Sequence, residues 1–542
     1  MKATLIPNLL LTFLVILSST LGNAQSSSFE ISLKPIEING LGGIQSYAYG
    51  QANGKWLIIG GRLDGLHRRQ PWASFDVAGH NNQLIVVDPI SLQQWSKPLS
   101  SLPVSIQEQL SSTNMEFYQE ENYLYCLGGY GYSATLDDHT TFDKLTAIEV
   151  DEVIEAVINN TSFTGFFRQI TDSQFQVTGG HLEKINNTYY LLGGQKFLGR
   201  YNPMGPDHGP GFVQEYTNAI RKFNISDDGD TIIIDHLGSQ VDADHLHRRD
   251  YNAQSQILPG GEEGIIMFSG VFKPNVDLPY LNAVIVDSTD YEVNNSFQQY
   301  YNHYHCPVLP LYSESNSEMH TLFFGGIAQY YDSAGTLVQD DNVPFVNTIA
   351  RVSLDANGNM AEYKLPIEMP ALLGAGAEFI PNLSFPHFRN GVFKLDSIDA
   401  DSLLIGYIFG GINSSEPNIF FINDGTQSIA NPQIFEVYIE TSSSLSTDDL
   451  NLSSISSLNL LVYPNPSHGE LNLSFKLMQT EDVKIKIYNS YGSIIKEMEF
   501  KNMSAGEHHI QQKTQKLNAN NTYYISLETS SQKVVRKLIL AE

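Results

Sequence analysis

Residues able to do chemistry are few here, and they stand apart from one another. His303-Tyr304-His305-Cys306 puts two imidazoles, a phenol and a thiol in one run, and imidazole and thiolate are good ligands for transition metals. The plainer reading, a packed strand start with a buried thiol, is preferred, as is a structural role for His181 after Gly179-Gly180. Two Leu-His-Arg-Arg segments, 66–69 and 246–249, supply Arg68, Arg69, Arg248 and Arg249, to which Arg168 and Arg200 are added as candidate ligand-binding cations. A guanidinium pairs a carboxylate or sulfate through two parallel hydrogen bonds; the alternative is salt bridges to loop carboxylates. Asp227-Asp228-Gly229-Asp230 and Asp355-Ala356-Asn357-Gly358-Asn359 resemble fragments of calcium loops. They lack the glycine at position six and the bidentate glutamate at position twelve, so they read as hairpin turns. Gly-x-Ser-x-Gly, His-Glu-x-x-His and phosphate-loop patterns are missing, as is a repeated aspartate box. No catalytic residue, metal ligand or cofactor is assigned.

The elements that must position such residues are read from composition and repeats. At 542 residues the chain is too long for one ordinary core. With 42% hydrophobic residues, 11% aromatics and 42 glycines it suits strands joined by tight turns. The net charge of −28 excludes a nucleic-acid partner, whose phosphates demand a basic footprint. The acid is uneven. Residues 458–542 hold ten Lys+Arg against eight Asp+Glu, whereas the rest holds 21 against 51, a net of −30.

Residues 1–24 read as a secretory signal: Lys2, an apolar run over 9–17 broken only by Thr12, and small residues before a cut at Gln25. That run is too short to span a bilayer, and no later stretch is long enough, so no transmembrane segment is expected in the mature protein.

From 43 to 440 a unit recurs six times, each with an apolar strand ending in a small pair: Gly60-Gly61, Gly128-Gly129, Gly193-Gly194, Ser269-Gly270, Gly325-Gly326 and Gly410-Gly411. The copies begin 68, 65, 76, 57 and 85 residues apart, room for a four-stranded blade with variable loops. A further strand follows each pair, at 84–88, 145–150, 219–225, 283–287, 348–354 and 434–439. The stretch from Gly60-Gly61 through 84–88 to Trp95 and Pro103 resembles a kelch repeat, in which the glycines end a blade's second strand and the tryptophan packs between blades. Only the first copy carries the tryptophan; Tyr363 is its counterpart in the fifth.

The expected fold is therefore all-β: a six-bladed kelch-type β-propeller over 25–440, then a Ser-rich linker at 441–457 and a small C-terminal β-sandwich at 458–542. The sixth copy lacks a fourth strand, and the alternating segment 29–38 is expected to supply it, closing the ring and removing free edges. Cys126 and Cys306 fall in opposite blades and are expected to be free thiols. Loops after the glycine pairs, 62–82, 130–143, 195–217, 271–281, 327–346 and 412–432, are long and emerge on one face, whereas several turns on the other, such as 51–55 and 120–122, are short, with 379–402 the exception. Long loops on a rigid scaffold are where binding resides. The resemblance also admits carbohydrate-acting relatives, including copper-radical oxidases and sugar epimerases, but the oxidases' dispersed ligand set has no residue-by-residue match here.

The tail carries Tyr463-Pro464-Asn465-Pro466 with Gly469, then Tyr488-Asn489 with Gly492, and a terminal apolar strand with Lys537. This ordered set resembles the type A sorting domain of type IX secretion in Bacteroidetes. It implies handling by that machinery, passage through the periplasm, and release or retention at the outer-membrane surface. The functional expectation is a secreted or surface protein binding a glycan or protein through its long-loop face; the alternative is a carbohydrate-acting propeller enzyme.

Overall fold

The computed structural model describes residues 29–205, 211–333, 336–398, 402–441, 460–463, 467, 470–477, 479–489, 494–513, 521–529 and 533–540. The chain divides into two compact units, with the break between Ser442 and Ser443. The signal-peptide reading and nearly all of the linker lie outside the described residues.

Among the described residues the first unit holds six blades, each with four antiparallel strands, and further strands widen the sheets of blades 2 and 5 to seven and five. Blade 1 is Ala48–Ala52, Lys55–Ile59, Gln83–Asp88 and Gln93–Pro98. Blade 2 is Thr113–Glu120, Tyr123–Ser133, Lys144–Glu149 and Phe167–Thr171. Blade 3 is His181–Ile185, Thr188–Leu192, Ala219–Asp227 and Ile232–Val241. Blade 4 is Asn252–Ile257, Glu263–Phe268, Ala283–Val286 and Tyr291–Asn294. Blade 5 is Val308–Ser313, Glu318–Ile327, Phe345–Leu354 and Met360–Glu368. Blade 6 is Ala377–Pro381, Ser402–Gly410 and Ile434–Thr441, completed by the N-terminal strand Phe29–Ile36. That strand pairs antiparallel with Ile434–Thr441 from Phe29↔Thr441 to Ile36↔Ile434, as expected.

A separate apolar cluster fills each joint between neighbouring blades. Between blades 6 and 1, for example, Ile380, Tyr407 and Phe409 pack on Ile44, Tyr47 and Trp56. Trp95 packs into the cluster joining blades 1 and 2, which also takes Val150, Val153 and Ile154 of the helix Val150–Ile158. The architecture is a closed six-bladed β-propeller.

The glycine pairs have a specific physical task. Both members of every pair, Ser269 included, take positive φ. This turns the second glycine's N–H sideways onto the next blade: Gly61 donates to Ser112 O, Gly129 to Val177 O, Gly194 to Arg248 O, Gly326 to Leu373 O and Gly411 to Ile44 O, at 2.7–2.9 Å. A Cβ on Gly128 would lie 2.0 Å from the Val177 carbonyl, so the close approach forbids any side chain.

Nearer the axis a second set of bonds runs right round the ring. The N–H of Ser46 donates to Gly376 O, Asn114 to Ser46 O, Gly179 to Asn114 O, Asp250 to Gly179 O, His305 to Asp250 O and Gly376 to His305 O, at 2.7–3.3 Å. Six residues from six blades thus form a closed backbone girdle. Each bond contributes about 0.5–1.5 kcal/mol net.

On the short-turn side, the 382–398 segment of blade 6 crosses the channel mouth. Phe393–Lys394 adds in parallel to the inner strand of blade 5, Asn390 donates to Gln256 O of blade 4 at 3.1 Å, and Arg389 reaches Asn186 O in blade 3.

The second unit packs the sheet Leu461–Tyr463, Glu470–Leu477 and Gly506–Lys513 against the sheet Ile494–Met503, Glu481–Asn489, Asn521–Glu528 and Lys533–Leu540. Leu471, Phe475, Val483, Ile485, Ile525 and Leu538 fill the space between them, and Lys484 and Lys486 point outward to glutamates. It is a small β-sandwich.

Candidate functional site

Two cavities lie on the axis, one on each side of the girdle, sharing Ser46, Asn114, Asp250 and His305 as their common rim. The upper one, on the long-loop face, measures about 700 Å³ and takes lining residues from all six blades. That volume falls in the range of small-molecule sites.

Loops of blades 1 to 3 build its aromatic wall. His67 stacks on Phe75 with ring centres 5.6 Å apart, and Tyr201 meets them edge-on at 5.2 and 5.8 Å. Tyr130 Oη donates to Gly199 O at 2.9 Å and accepts from the N–H of Tyr201 at 2.8 Å, fixing the blade 3 loop to blade 2. Burial pushes His67 down to about 4, assisted by Arg249 and Arg62, so its ring is neutral at physiological pH.

The cations fall into distinct roles. Arg62, in the bridge that follows Gly61, is 2% exposed; its Nε and Nη2 bind both oxygens of Asp64 at 2.7 and 2.6 Å, and its plane lies over Phe75. Arg249 lines the cavity, donates to Tyr216 Oη at 2.9 Å and pairs with Asp250. Arg69 lines it too, 5.2 Å over the ring of Phe421. Arg68 is exposed above Gly425, outside the cavity lining. Arg200 donates to Ser74 O at 2.7 Å and lies 3.7 Å from Asp76, so it ties the blade 3 loop to that of blade 1.

Two expected anchors are not at the site. Arg248 is fully buried, giving its donors to His245 O, Ser269 O, Asn282 O and Asn282 Oδ1. It caps the irregular Ser269-Gly270 pair. Arg168 stands at the start of blade 2's outer strand and pairs with Asp227 at the 227–231 turn, on the short-turn side.

The lower cavity, about 440 Å³, lies among the inner strands above the crossing segment. Its chemistry is acidic. Glu116 accepts from Gly180 N at 2.8 Å, Glu183 from Ser255 Oγ at 2.7 Å, and Glu378 Oε1 lies 3.1 Å from His305 Nε2. Burial raises Glu116 to about 8 and Glu183 to about 7. His181 donates Nε2 to Tyr251 O at 2.6 Å. Cys306 lines this cavity; it and Cys126 are buried free thiols, as expected. His303 is tied to main chain on both nitrogens, Gln299 O at 2.9 Å and Gln329 N at 3.0 Å. Among the described residues no group of three or more His, Cys, Asp or Glu is placed to hold a metal ion. The acidic turns behave as turns: Asp228 accepts from Asp230 N and Thr231 N, and Asp355 from Asn357 N and Asn359 N.

In the sandwich, Tyr463 sits opposite Asn472, Tyr488 and Asn489 oppose Tyr524 and Tyr523, and Lys537 is placed opposite Tyr524. Pro464, Asn465, Pro466, Gly469 and Gly492 lie outside the described residues.

The terminal sandwich defines the class of protein, which is an exported one. Residues 461–541 match the family of secretion system C-terminal sorting domains. Such a domain sends the chain through type IX secretion to the cell surface or the extracellular space. No curated protein matches the chain. Among solved structures, YjhT is similar at 11% identity, covering 75% of this chain and 99% of its own, with a TM-score of 0.39. A fungal alcohol oxidase of the AA5 family, in complex with copper, is 7% identical over 95% and 100%, with a TM-score of 0.36. Likenesses this distant carry no argument about activity.

Among the described residues no helix is long and apolar enough to cross a membrane.

Proposed function

We propose that this chain is a kelch-type propeller, delivered outside the cell by its terminal domain, that binds a glycan or a protein through its long-loop face. Residues 1–24 act as a signal peptide, 25–440 as the delivered propeller, 441–457 as a linker and 458–542 as the sorting segment. The paired glycines and Trp95 support the kelch assignment.

The observation that carries the binding reading is the upper cavity. Loops from six blades converge on it, and its wall is aromatic with arginines set in it. Rigid aromatic faces with a few placed polar groups are what a recognition site requires. Of the exposed apolar residues on these loops, Phe421 of blade 6 belongs to the lining and Trp72 of blade 1 stands outside it. The test is a glycan array and a protein capture from the growth medium, with mature protein and a Tyr201→Ala, Phe421→Ala variant. Loss of a captured ligand with unchanged melting supports the reading; capture that ignores these substitutions refutes it.

A further inference from the structure

The upper cavity has a one-sided hydrogen-bond demand. Arg62 Nη1, His67 Nδ1 and Asn202 Nδ2 are buried atoms without a hydrogen-bond partner among the described residues, and all three residues line it. Arg62 and Asn202 are 2% and 1% exposed. Two of these atoms can only donate, and His67 Nδ1 donates in one tautomer. Asn202 already uses its acceptor, Oδ1, on the N–H of Met204 at 2.9 Å, which fixes the amide orientation. The lower cavity is the reverse. There the carboxyl oxygen Glu116 Oε2 has no hydrogen-bond partner, and Glu378 Oε1 has the His305 imidazole 3.1 Å away. The girdle thus separates a chamber with unmet donors from one lined by carboxyl groups.

Buried donors left unmet are costly, and the group that meets several at once is an oxyanion, which accepts and does not donate. A neutral hydroxyl brings a donor of its own that would need an acceptor. Arg69, Arg249 and Lys273 also line the cavity and, with Arg62, outnumber its carboxylates, Asp250, Asp277 and Asp341, by one. Beside the donors stand the rings of Phe75 and Tyr201, edge to face, offering an apolar face to a compact ring.

We propose that the pocket bounded by Arg62, His67, Phe75, Tyr201 and Asn202 receives the carboxylate or sulfate of an acidic sugar, with the sugar ring against the aromatics. This rests on the reading of the long-loop face as a binding face, and adds the class of ligand it takes.

The test is calorimetric titration of the full mature protein with glucuronic acid, galacturonic acid, their methyl esters, glucose 6-sulfate and glucose. At least one acidic sugar should bind ten times or more tighter than the esters and glucose, with uronate against sulfate identifying the anion. Asn202→Asp, which sets a carboxylate where the anion belongs, should remove that preference. Tyr201→Ala should weaken the same ligand, and it serves as the second variant if Asn202→Asp does not fold. Equal binding of acids and esters, or acid binding indifferent to both variants, overturns the proposal. If no acidic sugar binds while a neutral glycan or a protein is captured at the loops, the ligand class fails and the binding face stands. If loop substitutions alter no binding at all, the binding face falls as well.

Discussion

Arg389 of blade 6 donates to the side-chain carbonyl of Asn187 in blade 3, 2.7 Å away, although those blades stand opposite each other in the ring. The contact is possible because the 382–398 segment runs beneath blades 5 and 4 first. It covers the lower chamber, where Cys306 lies.

Cys306 therefore reports on that cover. Arg389 is exposed, so Arg389→Ala alone should raise the labelling rate of Cys306 slightly, and Asn390→Ala, which removes a buried donor, should raise it several-fold. Cys126, buried in the joint of blades 1 and 2, should not change. Maleimide labelling followed by mass spectrometry measures both; equal acceleration of the two thiols would mean general loosening instead.

Arg248 and Arg69 should separate cleanly. Arg248→Ala strands one buried and two half-buried carbonyls and should cost about 2–4 kcal/mol of stability. Arg69→Ala loses a stacking contact at the cavity and should leave melting nearly unchanged. Denaturant titration of both variants decides, and a stable Arg248→Ala protein would contradict the bracing role.

Glu116 predicts a pH signature. Its carboxyl titrates near 8 in the folded chain, through burial, and near the ordinary 4.5 when unfolded. The unfolded state then loses its proton first as pH rises. The folded-state advantage is intact below about 4.5 and is lost by about 8. Glu116→Gln, which keeps the acceptor for Gly180 N, should therefore melt above the wild type at pH 8.5 and converge with it at pH 5. Glu183, raised to about 7 by burial, should add a smaller slope of the same sign. Parallel curves for Glu116→Gln and wild type would show that Glu116 does not carry the effect.

Much of the fold was legible because its signals are local. A glycine pair with two positive φ values ends an apolar strand in the same way each time, and the unpaired 29–38 segment pointed to its missing partner. The girdle was not legible. Ser46, Asn114, Gly179, Asp250, His305 and Gly376 share a backbone task and no residue type. The site was legible only as a face. Leu-His-Arg-Arg reads identically at 66–69 and 246–249, yet it places Arg69 at the cavity and buries Arg248, because the latter must satisfy the Ser269 carbonyl. Arg62 was missed for looking like an ordinary post-glycine arginine, and Asn202 because only folding brings its loop near blade 1.

Removing 458–542 should leave the propeller folded and held in the periplasm. The unit up to Ser442 owns its cores and its ring of bonds, and the sorting domain lies in the other unit. Cell fractionation with limited proteolysis measures both halves of that expectation; surface delivery of the shortened chain would contradict it.

Ser32 of the first strand donates to Glu440, 408 residues further on. This strand precedes every blade in the chain yet is seated last, since its place exists only once the final blade has been made. Until then blade 6 has an open edge and the ring has no lock. Tertiary closure is therefore timed by the chain's own far end, and a chain cut before residue 434 would be left as an open arc.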